Sequence, residues 1–253
     1  MDAPPGSLIY FIYGLAFIIM GLLIAVQPRL ESDFALAGIL PLLAAFGLLH
    51  GIHEWQEMWH LERECPFEMK GIVSLLTVSF LALLEFGRRL LRLASPAAGR
   101  WRRASKVCTH PGWYLPLGLL LAQLAWILGP RDFAVAIRYV LALPAALATA
   151  VGFSLYYRSE VVRLRPMGLK PFFYLAAGSF AGYAVAAGLL VPAAGFFPAN
   201  RYNSGYFFED SEFSVPAIRA LFAIVATISL GSILRIFRTE VHLRVETALT
   251  DAN

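Results

Sequence analysis

Three imidazoles and two carboxylates crowd a short run of this chain, Gly47-Leu48-Leu49-His50-Gly51-Ile52-His53-Glu54-Trp55-Gln56-Glu57-Met58-Trp59-His60. At 3.6 residues per turn His50, His53, Glu54 and Glu57 stand at i, i+3, i+4 and i+7, on one face of one helix. Imidazole with carboxylate suits zinc, copper or iron, which makes His50, His53 and Glu57 a candidate metal-ligand set. Either histidine could instead ligate haem, or the imidazoles could respond by taking up a proton, since they titrate near neutral pH. Two further charges lie in apolar surroundings, Arg138 and Arg219. An unpaired Arg inside a bilayer costs a few kcal/mol even on the lower scales, so both are expected to face inward and meet acceptors. Glu54 and Glu57 are the acids at matching depth, with Tyr139 and Gln123 as further hydrogen-bonding groups. The expectation is a polar network of His50, His53, Glu54, Glu57, Arg138 and Arg219. A structural clasp holding helices together is the competing reading.

The elements that must position these residues follow from composition. The chain has 253 residues, 58% hydrophobic and only 15% charged, and its mean hydropathy is +0.65. Soluble domains carry about 25% charged residues. The composition therefore excludes a cytosolic enzyme, a disulfide-stapled secreted scaffold and a nucleic-acid binder, and makes the lipid bilayer the first partner. Apolar segments of spanning length lie at about 8–27, 34–56, 70–91, 112–129, 133–157, 171–192 and 215–237. The expected fold is all-α, a polytopic membrane protein built as a seven-transmembrane-helix bundle.

Charge sets the orientation. The loop between the third and fourth segments holds Arg88, Arg89, Arg92, Arg100, Arg102, Arg103 and Lys106 with no acid, and the next basic clusters are Arg158, Arg163, Arg165 and Lys170, then Arg235, Arg238 and Arg244. The opposite loops carry Glu62, Glu64, Glu68, Glu209, Asp210 and Glu212. This asymmetry places the N-terminus outside and the C-terminus in the cytoplasm, so the polar stripe sits in the outer third of the bilayer. No basic residue precedes the first apolar run, which argues against a cleaved signal peptide.

Other features read more plainly. Glu85 with Arg88 and Arg89 has the spacing of a local ion pair. Gly178 and Gly182 allow close backbone approach in the sixth segment. Pro41, Pro116 and Pro144 interrupt the second, fourth and fifth segments and are expected to kink them. The aromatic outer loop from Phe196 to Ser214 anchors at the interface or closes over the stripe as a lid. Cys65 and Cys108 fall on opposite sides and cannot pair. The last segment stays compatible with helix to about Leu249, with an approximate seam of Leu234, Phe237, Val241 and Ala248 and a Glu240–Arg244 pair. The chain thus divides into a membrane domain at 1–232 and a cytoplasmic extension of the last helix at 233–253.

Several stretches resemble a known group. Tyr13-Gly14-Leu15-Ala16-Phe17 with Gly21, Leu43-Ala44-Ala45-Phe46-Gly47-Leu48-Leu49-His50-Gly51-Ile52-His53-Glu54-Trp55, Val215-Pro216-Ala217-Ile218-Arg219-Ala220 and Arg235-Ile236-Phe237-Arg238-Thr239-Glu240 resemble the N-terminal seven-helix membrane regions of bacterial sensor histidine kinases and diguanylate cyclases. The resemblance implies an input module in the bacterial cytoplasmic (inner) membrane, relaying an envelope or membrane stimulus, as in two-component signalling, to a cytoplasmic output domain or partner protein. No kinase or cyclase domain lies within the chain, so no enzymatic activity is expected of it. A homodimer is open as a further assembly. The alternative, of a different class, is a stand-alone haem- or metal-binding membrane subunit using His50 and His53. A retinal protein is disfavoured because no lysine sits inside a span, and a transporter because no internal repeat is visible.

Overall fold

The computed structural model describes residues 5–27, 32, 34–62, 68–95, 105–208 and 214–237, and every regular element among them is helical. The principal helices are α1 (Pro5–Ala25), α2 (Leu40–Leu61), α3 (Met69–Leu93), α4 (Tyr114–Ile127), α5 (Pro130–Ser159), α6 (Lys170–Gly188) and α7 (Val215–Ile233). Proline opens several of them: Pro41, Pro130, Pro171 and Pro216 occupy first-turn positions, where the missing N–H would have no helical partner. Ser214 caps α7, its hydroxyl accepting from the Ala217 N–H at 3.3 Å. Pro41 is therefore a helix starter and Pro116 is the third residue of α4, so neither sits at mid-helix where a kink was expected. Pro144 alone sits inside a long helix, and it follows a π-helical turn at Arg138–Ala142. Its ring removes one N–H from the ladder and crowds the carbonyl of the preceding turn, which a wider turn relieves.

Four helical segments are long and apolar enough to cross a membrane: Ser7–Ala25, Met69–Leu93, Pro130–Ser159 and Val215–Phe237. This corrects the seven expected spans, for a different reason in each remaining case. The stripe of His50, His53, Glu54 and Glu57 lowers the apolarity of α2. With 14 residues, α4 measures about 21 Å at 1.5 Å per residue, short of a hydrocarbon core of about 30 Å. Gly, Ser and Tyr dilute α6.

Contact pairs fix how the helices run. Gly14 meets Gly51, and Gly21 meets Ala44, so α1 and α2 are antiparallel. The pairs Phe46–Phe80 and His50–Ser79 make α2 and α3 antiparallel. Gly87 against Thr149 and Gly152 against Leu90 make α3 and α5 parallel. Phe180 and Phe173 meet Phe153 and Tyr157, so α6 runs back along α5, and Gly182 against Phe222 with Ala186 against Arg219 turns α7 antiparallel to α6. The Thr227 hydroxyl lies 3.0 Å from Ala16 O and 2.8 Å from Ala223 O of its own helix, bringing α7 against α1. The result is a ring in the order α1, α2, α3, α5, α6, α7, with α4 outside it against the start of α5. Tyr13, Phe17, Met20, Phe46, Phe80, Phe153, Phe180 and Tyr183 fill its interior.

The tightest seam joins α1 to α2. A Cβ at Gly51 would lie 2.6 Å from the Gly14 carbonyl oxygen, and one at Gly47 would lie 2.7 Å from that of Phe17. Gly47-x-x-x-Gly51 lets the backbones meet. Of the pair expected to do this in α6, Gly182 receives the Phe222 ring and Gly178 has nothing within 4 Å. Cys108 is free and exposed. Cys65 and the extension of the last helix beyond Phe237 lie outside the described residues. Glu85 takes the local pair expected of it: Arg88 bridges both its oxygens at 2.6 and 2.7 Å and Arg89 adds a third contact at 2.5 Å. Gly51→Val should destabilise the protein by about 1–3 kcal/mol through overpacking. Gly118→Ala, where a Cβ meets open space, should leave it unchanged or slightly more stable. Thermal unfolding in detergent micelles compares the two.

Candidate functional site

The sequence of α2 puts its polar stripe inside the ring because the opposite face carries Trp55, whose indole N–H donates to Phe11 O at 3.2 Å and whose ring stacks on that of Phe11. His50 and His53 are 0% exposed and Glu54 is 1% exposed, while the Glu57 side chain, nearer the helix end, is 30% exposed. The stripe thus descends from a half-buried acid to a fully buried histidine.

His50 is the point where helices meet. Its Nδ1 lies 3.0 Å from Ser79 Oγ on α3, and its Nε2 lies 2.7 Å from the Tyr183 hydroxyl on α6. Tyr183 is in turn 2.8 Å from the Tyr13 hydroxyl on α1. The proton positions follow from the network. Ser79 has one hydroxyl hydrogen and gives it to Leu76 O at 2.7 Å. It must therefore accept from Nδ1–H, which leaves the Nε2 lone pair of neutral His50 to receive the Tyr183 hydroxyl. Phe17, Phe46 and Phe80 surround the ring with centroids 4.9 to 5.1 Å away, so the imidazole is packed between apolar rings.

Carboxylates stand next to this arrangement without completing it. Glu54 Oε1 is 3.2 Å from His50 Nε2 and 4.0 Å from His53 Nε2, and Glu57 Oε1 is 3.8 Å from His53 Nε2. Among the described residues, both ring nitrogens of His53, Oε1 of Glu54 and Gln56 and Nη1 of Arg138 are buried with no hydrogen-bond partner. His50 Nε2 thus has two polar groups within 3.2 Å, the Tyr183 hydroxyl and Glu54 Oε1, and with His50 neutral Tyr183 donates to it.

The two arginines arrive at this depth but not in the expected pairs. Among the described residues neither guanidinium comes within 4.0 Å of a carboxylate, the distance of the loosest His53 contact. Arg219 instead spans the end of α6, donating through Nε to Ala186 O and through Nη2 to Leu190 O, each at 2.7 Å. These are carbonyls left over at a helix C-terminus, where a cation is favoured. Arg138 opens the π-helical turn of α5 and is 7% exposed. Its charge acts on Glu54 and Glu57 across space. Tyr139 packs on Phe196 at 6.4 Å, and Gln123 is exposed on α4, so neither joins the network.

The candidate metal set does not converge. Both nitrogens of His50 are committed, and no group of three His, Cys, Asp or Glu among the described residues is disposed to hold a metal ion. For haem, His53 has the open nitrogens but Phe17, Phe46 and Phe80 fill the space around its neighbour. The outer loop makes its described contacts with α5: Gly195 N–H donates to Asp132 at 3.2 Å, and Phe196 packs beside Val135, Val191 and Ala199. Tyr13, Tyr183 and Ser79 carry the network's strongest bonds and were not among the expected site residues. Nothing local in the sequence separates them from the other hydroxyls of the same helices, Tyr10, Ser74, Thr77 and Tyr174.

No known protein family, curated protein or solved structure matches the chain. Tyr183→Phe should cost about 0.5–1.5 kcal/mol of stability by removing one donor. His50→Leu should cost more, about 2 kcal/mol or above, because the hydroxyls of Tyr183 and Ser79 lose their common partner. Denaturant titration in mixed micelles would measure both.

Proposed function

We propose that the chain is a membrane sensory input module of the bacterial signal-transduction type, and that the buried cluster around His50 is its input. The observation that carries this reading is the placing of one imidazole nitrogen between two alternatives, the Tyr183 hydroxyl at 2.7 Å and Glu54 Oε1 at 3.2 Å. Each alternative distributes hydrogen bonds differently among α1, α2 and α6. A ligand or proton that prefers one state shifts the population of the other, which is all that a sensor requires. The change reaches α7 by two routes, the Thr227 bond to α1 and the Arg219 bonds to α6. α7 then relays it to an output domain or partner protein. The resemblance of the α1, α2 and α7 stretches to sensor regions of histidine kinases and diguanylate cyclases supports the same reading.

Orientation follows from charge. α1, α3, α5 and α7 run in one direction, and the basic residues gather where α3, α5 and α7 end, with Arg92, Arg158 and Arg235. That end faces the cytoplasm of a bacterial inner membrane and the N-terminus lies outside, with α2 and α6 returning between the parallel helices.

The second reading, a haem- or metal-binding subunit, rests on His53, whose ring nitrogens are both open. The absorption spectrum and metal content of the purified protein separate the two. The sensory reading expects no Soret band and less than one metal ion per chain, whereas a stoichiometric cofactor replaces it. In a fusion to a cytoplasmic kinase or cyclase, His50→Gln and Arg219→Leu should each shift basal output at least severalfold while membrane insertion is kept. Output unchanged in both variants sinks the proposal.

A further inference from the structure

Two hollows adjoin at the end of the bundle where α3 and α5 begin and α4 finishes. One is a cavity of 340 Å³ whose lining includes Lys70, Val73 and Ser74 of α3, Ala125 of α4, Leu128 just past it and Phe133 of α5. The other is an open recess of 450 Å³ lined by His60 at the end of α2, Met69, Gly129, Arg131 and Asp132. Pro130 lines both, and the neighbours Met69–Lys70 and Leu128–Gly129 contribute one residue to each. The two are therefore parts of one site.

Polarity is ordered along this site. Going into the bundle, the lining passes along α3 from Met69 and Lys70 to Val73, and along α4 from Gly129 to Leu128 and Ala125. Ser74, the one hydroxyl at the inner level, donates to Lys70 O at 2.8 Å within its own helix. The inner part is thus apolar. It stays open because α4 lies outside the ring and a Cβ at Gly129 would meet nothing within 4 Å.

The terminal part is cationic. Lys70 and Arg131 are exposed, and neither makes an ion pair among the described residues. His60 adds an imidazole. Asp132, the one acid among the described lining residues, already receives the Gly195 N–H at 3.2 Å. Glu62 and Glu68 are near in sequence but line neither hollow. Two cations against one acid favour a net negative head, and the apolar cavity behind them favours a hydrocarbon tail. Inorganic phosphate would leave the cavity unfilled. A second copy of the chain, placed symmetrically, would bring its own Lys70 and Arg131 to the same recess.

We infer that this site binds an anionic phospholipid, with its phosphate between Lys70 and Arg131 and one acyl chain in the cavity between α3, α4 and α5. Basic pockets between membrane helices hold anionic head groups in this way. The site asks nothing of the His50 cluster and stands whether or not the chain is a sensor.

Native mass spectrometry of the full chain, exchanged from mixed micelles containing phosphatidylglycerol or phosphatidylcholine, tests this. The expected result is a retained phosphatidylglycerol adduct, at least about tenfold preferred over phosphatidylcholine. The preference should fall about fivefold in Lys70→Gln and again in Arg131→Gln, and should be unchanged in Arg92→Gln at the opposite end of α3. Ala125→Phe, which fills the cavity from an exposed position on α4, should remove the adduct of either lipid. Photo-crosslinking of wild-type protein by phosphatidylglycerol with a diazirine in its acyl chain keeps the test independent of that variant's folding. The label should map to Val73, Ala125, Leu128 and Phe133. Equal retention of the two lipids, an equal loss in Arg92→Gln, or label spread evenly around the ring would each overturn the assignment.

Discussion

Inside a bilayer no water stands ready to accept a hydrogen bond, so each polar group on a ring-facing helix must find its partner on another helix. His50 is where this constraint binds hardest. One neutral imidazole has one donor and one acceptor, and here they are met by Ser79 of α3 and Tyr183 of α6, with Tyr13 of α1 behind. Because α2 supplies the imidazole, four helices are held in register by a group of side chains that cannot slide by one residue without losing every bond. Phe17, Phe46 and Phe80 complete the arrangement by packing around the imidazole ring.

Two other contacts make that geometry attainable. The α1–α2 seam is set by Gly47 and Gly51, which let two backbones approach until a single methyl group would collide with a carbonyl. This closeness puts Tyr13 and His50 within 3.5 Å of each other. At the far side of the ring Arg219 satisfies the open carbonyls of α6, which ties α7 to the helix that carries Tyr183. The cluster, the seam and the cap together link α7 to the helices that surround one imidazole.

A good part of the site could be read from residue spacing. The stripe of His50, His53, Glu54 and Glu57 faces inward as the 3.6-residue period requires, and Glu85 takes the local partners that its i+3 and i+4 arginines offer. The partners of the stripe were not legible in the same way. Arg138 and Arg219 were expected on the carboxylates because opposite charges attract, yet Arg219 found helix-terminal carbonyls closer. An alternation of Ala, Gly and Tyr in α6 gives no sign of which tyrosine points inward, because that depends on the rotation of the helix against α5 and α7.

The sequence by itself determined the solvent, the helical elements and the polar face of α2, since these depend on composition and on periodicity along one chain segment. It also contained the Gly47–Gly51 spacing, although nothing local says which helix will lie against it. The tertiary structure alone decided that six helices close a ring and α4 stays out of it, that Ser79 and Tyr183 claim the two nitrogens of His50, and that Pro144 sits beside a π-helical turn bearing Arg138. Each of these is a choice between partners far apart in sequence. Such choices are settled by shape and distance, where two helices touch, and not by the properties of either helix alone.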